Sequence, residues 1–179
     1  MKLNAVILAL ACAAPAAAFG SNQSVVSLDD QVLALIHLAN TAEIADGNLA
    51  DSKLADKAAL AYADMLITDH TAGEQLVQNL AGSRYVDLDG LVAQLPALTA
   101  LKQGHDQQVA VLQTLSGLDF ERQFLADERD NHAAVLQKLE ALTANLSATD
   151  PVFQLFQKLK PTIEKHESEA VQLLSQLGQ

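Results

Sequence analysis

The single cysteine of this chain, Cys12, lies in a stretch expected to be removed on maturation. Lys2 precedes an apolar run from Leu3 to Ala14, and Ala16-Ala17-Ala18 follows as a small-residue cleavage pattern. Residues 1–18 therefore read as a secretory signal peptide cut after Ala18. The alternative is a lipoprotein acylated at Cys12, although Ala9-Leu10-Ala11 matches a lipoprotein cleavage site poorly. Cleavage after Ala18 leaves no cysteine, which excludes disulfides and thiolate metal sites. No later stretch approaches the ~18 uncharged apolar residues of a spanning helix. Tryptophan is absent, aromatic residues make up 4% of the chain, and there are only four prolines and eight glycines. The abundant Ala, Leu, Gln, Lys and Glu favour helices, so the composition points to an all-α bundle. Basic residues are scarce as well, 11 against 22 acidic ones. The formal charge of −11 becomes −12 once the +1 of Lys2 is removed. That balance argues against nucleic acid and anionic lipid as partners, and for solubility or attraction of cations.

About 160 mature residues suffice for one domain with a substantial core. Residues 19–27 form a short polar lead, and Ser27 or Asp29 can cap the first helix of a domain spanning residues 28–179. From Leu28 onward, Val32, Leu35, Ile36, Ala39 and Ala42 recur at helical spacing, with Glu43 on the same line. A break is required between Asp46 and Lys57; Asp51 and Asp56 are both cap candidates, and the strong pattern that starts at Lys57 favours Asp56. The second helix is expected over residues 57–81, stopping at Gly82-Ser83. Asp87-Leu88-Asp89-Gly90 and Pro96 then interrupt the pattern, and one shorter helix is expected over residues 97–115. The roughly 35 residues from Arg84 to Gly117 exceed what an antiparallel helix pair needs. They read as a crossover between the second and third long helices. The third is expected over residues 118–146. Ser147-Ala148-Thr149-Asp150-Pro151 then makes a turn with an N1 proline, and the fourth runs over residues 151–177. Pro161 is expected to kink it about a turn before His166.

The chemistry-bearing residues sit where grease is expected. Leu125, Glu128, His132, Val135, Leu139 and Leu142 are linked by steps of three and four, the period of a core-facing stripe. That stripe carries a carboxylate and an imidazole at i,i+4, where side chains meet. His70 and His166 likewise interrupt the apolar lines of the second and fourth helices. A bare buried charge is expensive, so such groups must find partners on neighbouring helices.

Taken together, Glu43, Leu66-Ile67-Thr68-Asp69-His70, Gly117-Leu118-Asp119-Phe120-Glu121 leading to His132, and Leu159-Lys160-Pro161 leading to His166 resemble a known family. It is the bacterial envelope family called domain of unknown function 4142, grouped with ferritin-like bundles. The resemblance covers nearly the whole mature chain, with Glu121 and Phe124 standing where the family usually has Asp and Tyr. It implies a periplasmic, ferritin-like four-helix bundle and no established reaction.

Ferritin-like di-iron bundles take a Glu from each of two helices and Glu-x-x-His from each of the others. None of the core histidines here stands in Glu-x-x-His; the chain has Glu128-x-x-x-His132 and the reversed His166-x-x-Glu169. A di-iron oxidase is therefore not expected. What remains is a polar set of Glu43, His70, Glu128, His132, His166 and Glu169, whose imidazoles and carboxylates suit Zn²⁺ or Fe²⁺. Two readings stay open: a divalent metal site, or a hydrogen-bonded layer that only fixes helix register. No Gly-rich phosphate loop, nucleophile elbow or basic stripe is present, and no catalytic residue is assigned. His37 is expected to be partly exposed at the flank of its helix. His105 is expected to be satisfied by a backbone carbonyl, and Tyr62, Phe120 and Phe124 to serve as core aromatics. Reflecting the helices about Asp56 and Thr149 brings Glu43, His70, Glu128, His132 and His166 to one level. Moving the first turn to Asp51 would shift Glu43 by ~15 Å, out of that layer.

Overall fold

The computed structural model describes residues 26–177. The signal-peptide reading of residues 1–18, Cys12 included, and most of the polar lead lie outside them. The described residues form six helices and no strand: α1 (Leu28–Lys53), α2 (Lys57–Arg84), α3 (Leu88–Gln94), α4 (Pro96–Thr114), α5 (Gly117–Thr143) and α6 (Pro151–Leu177). No helix among them is long and apolar enough to cross a membrane.

Caps set the register on which the site depends. Ser27 Oγ accepts from the Asp30 amide at 3.2 Å and starts α1. Asp56 accepts from the amides of Ala58 and Ala59 at 2.8 and 3.0 Å, so the first turn falls there and not at Asp51. Between the two caps α1 runs through Gly47 to Lys53 without interruption. At its end Lys53 donates to the carbonyls of Leu112, Gln113 and Leu115, at 3.1, 2.7 and 2.9 Å. It thereby ties α1 to the carbonyl end of α4, where a cation is favoured.

Two boundaries differ from the sequence expectation. Helix α2 continues past Gly82-Ser83 to Arg84, whose guanidinium pairs with Asp29 and Asp30 at the start of α1. The left-handed turn that stops it is taken by Tyr85, at φ 58°, not by the glycine. The connection also holds two helices, not one. Asp87 accepts from the Gly90 amide at 3.0 Å and caps the seven-residue α3. Leu95, extended because a proline follows, separates α3 from α4. Pro96 occupies the first turn of α4, where a missing N–H costs nothing. Helix α6 runs on through Pro161, whose ring lies on the exposed side.

Side-chain pairings give the direction of each long helix. Gly47 faces Ala63 and Ile67, whereas His37 faces Glu74, so α1 and α2 are antiparallel. Contacts between His132 and His166 and between Glu140 and Lys160 make α5 and α6 antiparallel. Tyr62 and Asp69 reach His166 while Gly73 approaches Leu159, so α2 and α6 are antiparallel too. It follows that α2 and α5 run parallel, joined by α3 and α4, which pack on α1. The apolar interior is divided in two. One cluster gathers Leu33, Ile36, Val77, Leu139 and Phe156; the other gathers Tyr62, Leu66, Phe120, Phe124 and Leu125. A polar layer separates them.

Gly47 is where α1 and α2 come closest. A Cβ there would lie 2.7 Å from Ile67 Cγ1 and 3.1 Å from the Ala63 carbonyl oxygen. Overpacking typically costs ~1–3 kcal/mol, against ~1 kcal/mol gained from the better helix former. Gly47→Ala should therefore be destabilising by about 1 kcal/mol in urea unfolding. A stabilised variant would show that the helices part freely at this point.

Candidate metal centre

Three of the histidines meet inside the polar layer. His70 comes from α2, His132 from α5 and His166 from α6, and they are 7%, 3% and 0% exposed. Their ring centroids lie 5.0–5.6 Å apart. One ring nitrogen of each falls within 4.8 Å of the other two.

The partners of these rings determine where their protons are. His132 Nδ1 faces the backbone oxygen of Glu128 at 2.8 Å, which can only accept, so Nδ1 carries hydrogen and Nε2 a lone pair. His166 Nε2 faces Asp69 Oδ2 at 3.0 Å, so Nε2 carries hydrogen and Nδ1 a lone pair. Asn40 settles the third ring. Its Nδ2 donates to Glu74 Oε2 at 3.4 Å, which turns Oδ1 toward His70 Nδ1 at 3.0 Å. His70 Nδ1 therefore donates, and its Nε2 is left buried without a hydrogen-bond partner. His132 Nε2 and His166 Nδ1 stand 3.2 Å apart with no proton assigned between them. Tetrahedral zinc with bonds of ~2.05 Å would set two nitrogen ligands ~3.3 Å apart. Each ring is thus held from behind by a carbonyl, a carboxylate or an amide, in the manner of oriented metal-binding imidazoles.

Burial works against protonation of two of the rings. It pulls the His70 pKa down to about 4, and it also lowers that of His166 against the pull of Asp69. Beside the rings sit two carboxyls, and Glu43, Glu128 and His132 form a second close group. Burial drives the Glu128 carboxyl well above its ordinary range, and the neighbouring Glu43 raises it further. Burial also opposes ionisation of Glu43, but His132 and the hydrogen bond with Glu128 outweigh it and hold Glu43 low. The two neighbouring carboxyls are thus driven in opposite directions. One oxygen of each, Glu43 Oε2 and Glu128 Oε2, is buried with no hydrogen-bond partner.

The layer thus contains Glu43, His70, Glu128, His132 and His166, as the helix reflections require. Glu169 belongs to neither close group; it is half-buried one turn beyond His166, where α6 enters the second apolar cluster beside Ala170. Two histidines depart from expectation. His37 is buried, 6% exposed, with Nδ1 2.7 Å from Glu74 Oε1 and Nε2 3.2 Å from Asp89 Oδ1. The short helix α3, which the sequence pattern does not announce, supplies Asp89 and covers it. His105 is satisfied not by a carbonyl but by Asp46 Oδ2 at 2.8 Å, because α4 lies on α1. Hydrogen bonding to Glu74 raises the His37 pKa, and for His105 the Asp46 carboxylate outweighs burial and raises it too. Sequence reasoning misses Asn40 and Asp69, which orient the central rings. Asn40 stands one helical turn before Glu43 on the same line, and Asp69 adjoins His70; those positions are the only signal of their role.

The model of the family described as Domain of unknown function (DUF4142) matches residues 14–173. The chain belongs to this family. No curated protein and no solved structure matches it.

Neutral His70 has a consequence for stability. Its folded pKa of about 4 lies below the unfolded value of 6.5, so between them the unfolded chain takes the proton and the folded chain does not. Its contribution to stability is therefore present above pH 6.5 and lost as pH falls toward 4. In chelator, the wild type should lose roughly 2 kcal/mol between pH 7 and pH 5 relative to His70→Gln, measured as urea midpoints. Parallel pH profiles for the two proteins would mean that His70 is protonated in the folded state.

Proposed function

We propose that this member of the family is a ferritin-like, periplasmic four-helix protein that binds one divalent metal ion, zinc or ferrous iron, in its core. The observation that carries the reading is the convergence of three lone pairs, at His70 Nε2, His132 Nε2 and His166 Nδ1, on rings whose other nitrogens are all engaged. Lone pairs at 3.2 Å repel unless a proton or a cation lies between them. Three imidazoles with carboxylates close by suit zinc or ferrous iron, and three protein ligands leave a coordination position open to a further group. Glu43, held low, supplies negative charge beside the rings. The ferritin-like part of the reading is supported by the parallel course of α2 and α5 and by the long helical connection between them. Export rests on the leader read in residues 1–18.

A second reading has an observation of its own. His37 with Glu74 and His105 with Asp46 extend the polar layer to the periphery as imidazole–carboxylate pairs made within the protein. On that reading the whole layer is a register device of a structural or interaction module of the cell envelope. Untagged protein purified from periplasm separates the two. The metal-binding reading expects about one zinc or iron per chain by mass spectrometry, lost in His132→Ala and His166→Ala. It also expects Asn40→Ala and Asp69→Ala to weaken metal affinity about 10- to 100-fold, since those groups orient ligands without being ligands. Sub-stoichiometric metal that is unchanged in the histidine variants would leave the structural reading standing.

A further inference from the structure

Against the histidine cluster lies a cavity of about 30 Å³ whose lining includes His70, His132 and Glu43 but not His166. Most of its remaining wall is apolar, built from Ile36, Val135, Leu139, Leu159 and Ile163. A single water needs ~10–15 Å³ of such space, so this one takes two small atoms with little to spare. Two of the residues in the wall carry a buried polar atom without a hydrogen-bond partner: His70 at Nε2, the nitrogen assigned above to the metal, and Glu43, 6% exposed, at Oε2. An orphaned buried acceptor costs ~1–3 kcal/mol unless a ligand satisfies it. Gly73 also lines the space, and a Cβ there would crowd Asn40 Oδ1 at 3.3 Å while touching Leu159 Cδ2 at an ordinary contact distance of 3.6 Å.

We propose that this cavity binds a small uncharged hydroxylic molecule of about two heavy atoms. The molecule ligates the metal on its His70–His132 side and donates a hydrogen bond to Glu43 Oε2. The inference rests on the metal-binding reading above and adds the class of ligand that completes the coordination. Size excludes anything larger than a few atoms. The metal ion by itself would draw an anion, but an anion's outer atom would then face the Glu43 carboxylate across an apolar wall, which favours an uncharged donor in that place. An uncharged gas would fit the space but would leave Glu43 Oε2 without a donor.

The test uses the cobalt-loaded mature protein, with cobalt content measured separately from the visible spectrum. Hydroxylamine at neutral pH serves as the two-heavy-atom uncharged donor, azide as the anion and nitric oxide as the gas. Hydroxylamine should shift the cobalt bands saturably, and azide should need at least tenfold higher concentration. Glu43→Gln should weaken the hydroxylamine response about tenfold per cobalt bound, read at cobalt saturation with the content measured for that variant. Val135→Phe and, as a milder filling, Ala39→Leu should abolish the response with cobalt content unchanged. Cobalt bound at one per chain but spectrally indifferent to hydroxylamine, or responding equally in the filled variants, overturns the pocket and leaves the metal site intact. A stronger response to azide or nitric oxide than to hydroxylamine overturns the ligand class. Failure to bind cobalt overturns the metal-binding reading and the pocket with it.

Discussion

Everything in this protein answers to the burial of three imidazoles between two blocks of apolar side chains. A buried ring has two nitrogens to account for, and the surrounding helices provide for only one on each. The Glu128 carbonyl, Asp69 and Asn40 take the outer nitrogens. The inner ones are left facing each other. Such an arrangement is costly on its own terms, since each unsatisfied buried group loses ~1–3 kcal/mol. It persists because the clusters around Phe156 on one side and Phe124 on the other hold four helices at fixed register. The apolar contacts thus do more than stabilise: they keep a polar arrangement from collapsing into one that would satisfy itself.

The histidines divide into two kinds by the company they keep. His37 and His105 each meet a carboxylate head-on and are drawn toward the protonated form. His70 and His166 lie deeper, and burial draws them the other way. The difference follows from which helices surround them. The outer pair lies under α3 and α4, which carry acidic side chains or cover those of α1. The inner group is enclosed by four long helices whose carboxylates are either shared, as in Glu43 and Glu128, or turned outward, as in Asp69. One chain thereby separates imidazoles drawn toward protonation by carboxylates from imidazoles drawn away from it by burial.

Much of the layer is legible in the amino-acid sequence. The i,i+4 pair Glu128 and His132, and the histidines that interrupt the lines of the second and fourth helices, mark it by periodicity alone. Choosing Asp56 over Asp51 as the cap brings Glu43 into it. What periodicity cannot register are interactions that cross between elements at short range. Asn40 has no distinguishing period, since an amide on a helix line reads equally well as solvated. Asp89 acts on His37 only because α3 exists, and α3 is seven residues around an Asp-Gly that reads as a turn. The partner of His105 escapes sequence reasoning because Asp46 lies 59 residues away in the chain. Glu169 satisfies the spacing rule with His166 but falls a turn too far along α6, at the level of the apolar cluster.

The placement of the connection bears on how the site could be reached. Helices α3 and α4 pack on α1, and α4 also touches α5. They therefore cover the face where Glu43, Asp46 and Glu128 would otherwise approach solvent. Covering carboxylates raises their cost in the ionised form, which is why Asp46 is pushed upward by burial even with His105 at hydrogen-bond distance. Among the described residues, α3 and α4 make no comparable packing on the opposite face, between α2 and α6. There Asp69, one-third exposed at its side chain, links His166 directly to the surface. A proton exchanging between solvent and His166 has Asp69 as its hydrogen-bonded intermediary on that side. The long connection is thus more than a topological necessity of joining parallel helices, since it packs on one face of the polar layer and supplies partners to its outer histidine and carboxylate.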